Sequence, residues 1–459
     1  MVAISAAIGA VVATGAVAEA GPWDGGQRTA ERSLAAARDG RTAVPAARKP
    51  AAEAAAGGRP RAAAAPPAAA SAAPVFAAAG TGPAPAAGSL APRLAPLMSS
   101  PDLGTVRTGA VLDVAGGTLL YDHRSGTAST PASTTKLATA VAALGTLGGS
   151  RTLTTRTVAV GAKRVVIVGG GDPTLELDGL AADTAAALHA RGTTSVRLGY
   201  DTSLYSGPVL HPIGVNENLA PVTALMVREG RLDHSASGPA TRAADPALAA
   251  ATSFAELLRS HGITVTGTPE PAGGKGGTRL AAHESAPMRS LVERMLTDSD
   301  NDLAEALGRQ VALAGGRPAS FAGAAKAIRS ALQRYGVPLA RAVFADGSGL
   351  DHVDALSPAT LTRILALAAS PAHPELRPVL DGLPIASFTG TLASRFASTP
   401  GAGVVRAKTG TLTGTNTIAG VTVTPGGRVL AFSFMTQGAP SAPAAQAALD
   451  ALASALSSL

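Results

Sequence analysis

Three short strings stand in order along the 459-residue chain: Ser133-Thr134-Thr135-Lys136, Ser299-Asp300-Asn301 and Lys408-Thr409-Gly410. Together they hold the groups that a serine nucleophile needs. A serine hydroxyl attacks poorly at neutral pH unless a base sits beside it. A lysine three residues later on a helix shares the serine's face and brings its amine within reach of the hydroxyl. Ser133 is therefore the candidate nucleophile, and its own N–H at a helix start can help hold an oxyanion. Lys136 is the candidate base, with burial and a neighbouring Lys408 expected to depress its pKa. Ser299 would relay a proton to a leaving amine, and Asn301 would bind a substrate amide and orient Lys136. Lys408 on an edge strand would attract a substrate carboxylate, with Thr409 donating a hydrogen bond to it. Gly410 would let a substrate backbone approach the strand. The N–H of Thr411 would complete the oxyanion hole with that of Ser133.

Each string alone has an ordinary reading. Ser133 could be a helix N-terminal serine, Lys136 a solvated lysine, and Ser299-Asp300-Asn301 a polar loop with a helix cap. Lysine usage favours the chemical reading. There are six lysines (Lys49, Lys136, Lys163, Lys275, Lys326, Lys408) against 32 arginines, and two of the six lie inside the motifs. Arginine stays protonated, whereas a desolvated lysine can lose its proton. Rival sets are missing: there is no Gly-x-Ser-x-Gly elbow, no His-Glu-x-x-His and no complete phosphate-binding loop. Gly273-Gly274-Lys275-Gly276-Gly277 has the wrong spacing for one, and no lysine follows Gly169-Gly170-Gly171-Asp172-Pro173. The chain has no cysteine, which excludes disulfides, thiolate metal sites and a cysteine nucleophile.

The elements that must carry these groups are legible in outline. A hairpin is expected over 108–114 and 118–121, and a helix over 133–143. Strands are expected over 152–160, 164–168 and 195–200, and helices over 94–98, 180–190 and 247–261. Residues 291–314 form an amphipathic helix or helix pair carrying Ser299. Strands over 404–408, 417–423 and 428–435 make a meander, closed by a helix over 442–456.

The N-terminal part differs in kind. Residues 1–18 are apolar apart from Ser5 and Thr14, which fits a signal-peptide core or a short membrane anchor. Residues 42–90 are alanine, proline and glycine with few large apolar side chains, the composition of a disordered or polyproline-like tether. Net charge is +7, of which +4 lies in residues 1–100. That distribution suits anionic lipid or wall polymer and gives little support for nucleic-acid binding.

The motifs and several longer stretches resemble the class C low-molecular-mass penicillin-binding proteins, D-alanyl-D-alanine carboxypeptidases/endopeptidases. The supporting stretches are Val168-Gly169-Gly170-Gly171-Asp172-Pro173-Thr174-Leu175, Ala220-Pro221-Val222-Thr223-Ala224-Leu225, Asp346-Gly347-Ser348-Gly349-Leu350, and Leu383-Pro384-Ile385-Ala386 with Gly390-Thr391-Leu392. The likeness covers roughly residues 90–459, including a long insertion between the first two motifs that is shorter than in the best-known members. Asp351-His352 stands where a serine-arginine pair is commoner in that family.

The resemblance implies an α+β fold: a penicillin-binding/β-lactamase-like transpeptidase domain, its antiparallel sheet flanked by helices, with an inserted α/β domain. The corresponding division is 1–20 leader or anchor, 21–90 tether, 91–148 with 280–459 catalytic domain, and 149–279 insert. It also implies attack by Ser133 on the bond between two D-alanines of a peptidoglycan stem peptide, with release of D-alanine and no metal or cofactor. Cleavage of D-alanyl cross-links would accompany it, β-lactams would be covalent inhibitors, and the site of action would be extracytoplasmic. Two alternatives stay open at this point: a serine β-lactamase, and a non-catalytic wall-binding or β-lactam-sensing module.

Overall fold

The computed structural model describes residues 82, 84–86, 88–233 and 235–459. The leader or anchor expected over 1–20, and all but the last few residues of the tether, lie outside the described residues. Those that are described fall in one compact unit. No described helix is long and apolar enough to cross a membrane.

The first sheet has five antiparallel strands in the order β2-β1-β11-β10-β9. They are β1 Val106–Asp113, β2 Leu119–His123, β9 Arg406–Leu412, β10 Thr415–Val423 and β11 Val429–Gln437. The meander β9–β11 pairs in continuous register, from Leu412 opposite Thr415 to Val429 opposite Val423. Nearly every residue of β10 and β11 is buried, because both faces are covered. Helices α1 (Ala91–Met98) and α10 (Ala442–Leu456) bring Leu94, Met98, Leu449 and Leu452 against Phe432 and Phe434 on one face. Leu90, at the end of the expected tether, is already fully buried there. Helix α2 (Lys136–Leu147) and helix α8 (Pro358–Ala369) pack together, and α8 lies on β1 and β11.

The second sheet has the order β6-β5-β4-β3-β8, with β7 pairing β5. Its strands are β3 Thr154–Val160, β4 Arg164–Val168, β5 Ser195–Asp201, β6 Thr264–Val265, β7 Glu270–Pro271 and β8 Thr278–Glu284. Helices α3 (Asp178–His189) and α4 (Pro246–Ser260) cover one face, where Leu180, Leu188, Phe254 and Leu258 meet Val165, Ile167, Val196 and Leu198. A boundary at residue 279 would divide β8, which closes this sheet; the second sheet runs on to Glu284.

The expected run over 291–314 is a helix pair, α5 Met288–Thr297 and α6 Asn301–Ala314. Asp300 forces the break: its Oδ1 accepts from the N–H of Leu303 at 2.9 Å and caps α6. Ser299, just before the cap, has φ +59°. Helix α7 (Phe321–Arg334), helix α8 and strand β8 have no counterpart among the expected elements. Alanine-heavy sequence blurs apolar periodicity, which hides α7 and α8 from a pattern reading.

Candidate active site

Residues Ala132–Thr135 form a 3-10 turn, and α2 begins only at Lys136, later than the helix expected from Ser133. Side chains at i and i+3 eclipse in a 3-10 turn. Lys136 Nζ accordingly lies 3.0 Å from Ser133 Oγ. Ala132 has φ +48°, a left-handed kink that lifts Ser133 at the head of the helix.

Lys136 is fully buried and its Nζ donates to two further acceptors, Asn301 Oδ1 at 2.6 Å and the Ser348 carbonyl at 2.8 Å. Burial lowers its pKa to about 8, against the upward pull of Asp346, Asp300, Glu305 and Asp354. The mutual repulsion of the lysines falls on the other partner: burial and the charge of Lys136 hold Lys408 well below an ordinary lysine.

Lys408, also fully buried, reaches Ser299 Oγ at 2.8 Å and the Thr409 carbonyl at 2.8 Å. The positive φ of Ser299 aims its hydroxyl at this amine. Strand β9 is the edge of the first sheet, as expected for the third motif. Thr409 Oγ1 donates to Thr391 Oγ1 at 2.9 Å, and Thr411 Oγ1 accepts from Gln446 Nε2 at 3.3 Å. Ser133, Ser299, Asn301, Thr409 and Thr411 line one cleft of about 420 Å³, with the two lysines beneath it.

Gly410 does not line this cleft. A Cβ there would lie 2.3 Å from Thr417 Oγ1 and 2.7 Å from the Pro131 carbonyl. The strand thus needs glycine to seat against the nucleophile turn, which corrects the expectation that Gly410 admits a ligand. Gly410→Ala should cost about 1–3 kcal/mol of stability by overpacking. It should also slow acylation by moving β9 from Ser133; a thermal midpoint and a β-lactam acylation rate measure both.

Several contributors were not among the sequence candidates. The loop 346–350 presents the Ser348 carbonyl to Lys136, and Glu305 holds that loop by accepting from the N–H groups of Gly347 and Ser348 at 3.0 and 2.9 Å. Asp346 accepts from the N–H groups of Ser348, Gly349 and Asp351 at 3.0, 2.6 and 2.8 Å. His211, from the segment following β5, closes on Asp346 Oδ2 at 2.9 Å. Burial opposes ionisation of Asp346, but His211, Asp354 and these backbone donors hold its carboxyl down at about 2. Beneath them Arg309 pairs with Glu305 at 3.2 Å and stacks on Phe321, 4.1 Å from the ring centre. Asn301, Glu305 and Arg309 recur every four residues on one face of α6, a signal present in the sequence.

The segment between β5 and α4 also builds the cleft's rim. The Asn218 carbonyl accepts from Asn301 Nδ2 at 2.8 Å, and Ala220 N–H donates to Asp302 Oδ1 at 3.0 Å. Glu229 is buried among Arg231, Arg242 and Arg294, with Arg242 bridging on to Asp302 at 3.1 Å. This network fixes the helix pair that carries Ser299 and Asn301. Asp351 accepts from the Val353 N–H at 2.9 Å, and the His352 carbonyl accepts from Thr130 Oγ1 at 3.3 Å.

The D-Ala-D-Ala carboxypeptidase 3 (S13) family matches residues 90–241 and 233–458. Carboxypeptidase DacB of Mycolicibacterium smegmatis is 37% identical over 398 residues, 82% of this chain and 85% of that protein. The D-alanyl-D-alanine carboxypeptidase of Actinomadura sp. is 30% identical over 442 residues, 76% of this chain and 81% of that one. In fold, the chain is similar to penicillin binding protein 4 of Haemophilus influenzae, with a TM-score of 0.68 at 23% identity over 78% of this chain and 98% of that one. The chain belongs to the D-Ala-D-Ala carboxypeptidase 3 (S13) family, a group of class C low-molecular-mass penicillin-binding proteins.

Proposed function

We propose that Ser133 carries out the chemistry of this serine DD-peptidase, with Lys136 as its base. The observation that carries the assignment is the fully buried Lys136 amine, 3.0 Å from Ser133 Oγ with its pKa near 8. In its neutral form Lys136 takes the Ser133 proton, and Oγ attacks the carbonyl carbon of the bond joining two terminal D-alanines. The oxyanion that forms is held by the N–H groups of Ser133 and Thr411. Its collapse breaks the C–N bond, and the leaving amine takes a proton through Ser299 and Lys408. Water then hydrolyses the acyl ester, freeing Ser133 and a stem peptide shorter by one D-alanine.

The paired lysines give the substrate a part in activation. Without a ligand, burial and Lys136 keep Lys408 low. A substrate carboxylate placed against Lys408 and Thr409 favours the charged form of Lys408. The charge gained there favours the neutral, basic form of Lys136. Binding the correct C-terminus thus promotes deprotonation of the base beside Ser133.

The enzyme acts on peptidoglycan, outside the cytoplasm, and β-lactams acylate the same serine. Cleavage of D-alanyl cross-links uses the same attack on a D-alanyl carbonyl, with the amine of the second stem as the leaving group in place of D-alanine. Incubation with a penicillin followed by peptide mass mapping should place a stable adduct on Ser133, and a D-Ala-D-Ala stem peptide should release D-alanine. An adduct elsewhere, or no adduct and no release, would overturn the assignment. Rapid turnover to free opened penicillin would make the protein a β-lactamase instead.

A further inference from the structure

A second, larger cavity of about 1260 Å³ lies away from Ser133, between the second sheet and the C-terminal ends of α2 and α6. Strand residues alternate between faces. Val165 and Ile167 pack under α3 and α4, so Val166 and Val168 face the other way, where Val158 joins them. This opposite face of the sheet is the cavity's wall, with Thr154, Arg156, Val158, Val168 and Arg279 upon it. Thr146 and Leu147 of α2 and Gln310, Leu313 and Ala314 of α6 form the other wall.

Both glycine-rich strings that failed as phosphate loops border this space. A Cβ on Gly274 would lie 2.3 Å from Val168 Cγ2, and one on Gly277 would lie 2.8 Å from Val158 Cγ2. Glycine lets this loop lie flat on the sheet, which sets Lys275 at the groove's lip. Gly169 and Gly170 line the groove's floor.

The side chains of Arg151, Arg156, Lys275 and Arg279 are exposed around the groove and make no hydrogen bond or close ion pair among the described residues, although Arg156 is near enough to Asp201 for their charges to interact. By contrast, the arginines around the cleft and the first sheet, Arg231, Arg242, Arg309 and Arg395, all hold carboxylates. Within the groove Asp201 is occupied by the N–H groups of Ser203 and Gly274, at 2.9 and 2.8 Å. Glu284, at the edge, accepts from the hydroxyls of Thr152 and Thr154 at 2.6 and 2.9 Å. The cations are thus left facing solvent across a strip of valine and leucine.

We propose that this groove is a second binding site for the wall polymer, in which Arg151, Arg156, Lys275 and Arg279 grip the carboxylates of a stem peptide other than the one being cut. The inference rests on the peptidase reading, which makes the substrate a polymer bearing many such peptides. Guanidinium groups match carboxylates in bidentate geometry. The apolar strip between them suits alanine side chains, whereas a phosphodiester polymer would leave it unused. Helices α2 and α6 both start in the catalytic cleft and end in the groove. At the α-helical rise, the two sites lie roughly 15–18 Å apart along these helices. A strand held in the groove would raise the local concentration of neighbouring stems at Ser133.

The test compares the full chain with Arg156→Glu/Arg279→Glu and, separately, Arg151→Glu/Lys275→Glu. Binding of soluble glycan strands with intact stem peptides is measured in a Ser133→Ala background, which prevents turnover. Each pair should weaken binding at least tenfold. With Ser133 restored, D-alanine release from a short free stem peptide should stay within twofold, while release from the polymer falls. Unchanged strand binding in both pairs would overturn the proposal. So would an equal loss on strands stripped of stems, or tighter binding of a phosphodiester wall polymer. If the parent chain releases no D-alanine from either substrate, the peptidase reading falls, and the binding comparison still reads the groove.

Discussion

Lys136→Ala is expected to slow acylation of Ser133 by β-lactams and stem peptides about 10³–10⁴-fold, near the upper range for loss of a positioned general base. Noncovalent affinity should survive, because removing the Lys136 charge relieves one of the two influences that depress Lys408. The loss should therefore fall on kcat rather than on KM. Lys136→Arg separates a base from a structural cation, since arginine keeps the charge but does not give up its proton; it should be nearly as inactive as alanine. In the parent enzyme the reactive form is neutral Lys136, whose fraction grows as pH rises through about 8. The acylation rate should climb close to tenfold per pH unit below that value and level off above it. A flat profile between pH 6 and 9, or an arginine variant acylating within tenfold of the parent, would remove Lys136 from the role of base.

What was legible in the sequence follows from how far each interaction reaches along the chain. The nucleophile turn is local: Ser133 and Lys136 are three residues apart, so their spacing announces their meeting. The meander β9–β11 was equally plain, because short turns join strands dense in β-branched and aromatic residues. The break before α6 rests on one capping carboxylate, that of Asp300, so the sequence left helix and helix pair undecided. The loop 346–350 was visible as a glycine-rich string, but its task was not. Its Ser348 carbonyl reaches Lys136 across 212 residues, and its clamp His211 comes from 135 residues before Asp346. Nothing in residue spacing reports such contacts. Gly410 shows the converse error, a correct residue given a wrong reason, because the atoms it avoids belong to Pro131 and Thr417 and are distant in sequence.

Asp346→Ala should produce the largest loss of stability of any single change near the site. The carboxylate is buried and satisfies three backbone N–H groups as well as the ring of His211. Truncation strands those donors away from water, and each unsatisfied buried group costs about 1–3 kcal/mol. Breaking a buried ion pair by removing one partner typically costs about 3–5 kcal/mol, so a loss of that size should appear in denaturant unfolding. Asp346→Asn separates position from charge. Its remaining carbonyl oxygen can still accept from Ser348 and Gly349, so the loop should hold and the stability loss should be smaller. Its lost charge is the largest electrostatic influence raising Lys136. The pH at which acylation levels off should therefore move below 8 in the asparagine variant. A role confined to packing would leave that pH unchanged, so a stable Asp346→Asn protein with an unshifted profile would show that the loop supports Lys136 only mechanically. The geometry predicts the shift, because the carboxylate, the Ser348 carbonyl and the Lys136 amine form one continuous chain from the second sheet's connecting segment to the nucleophile.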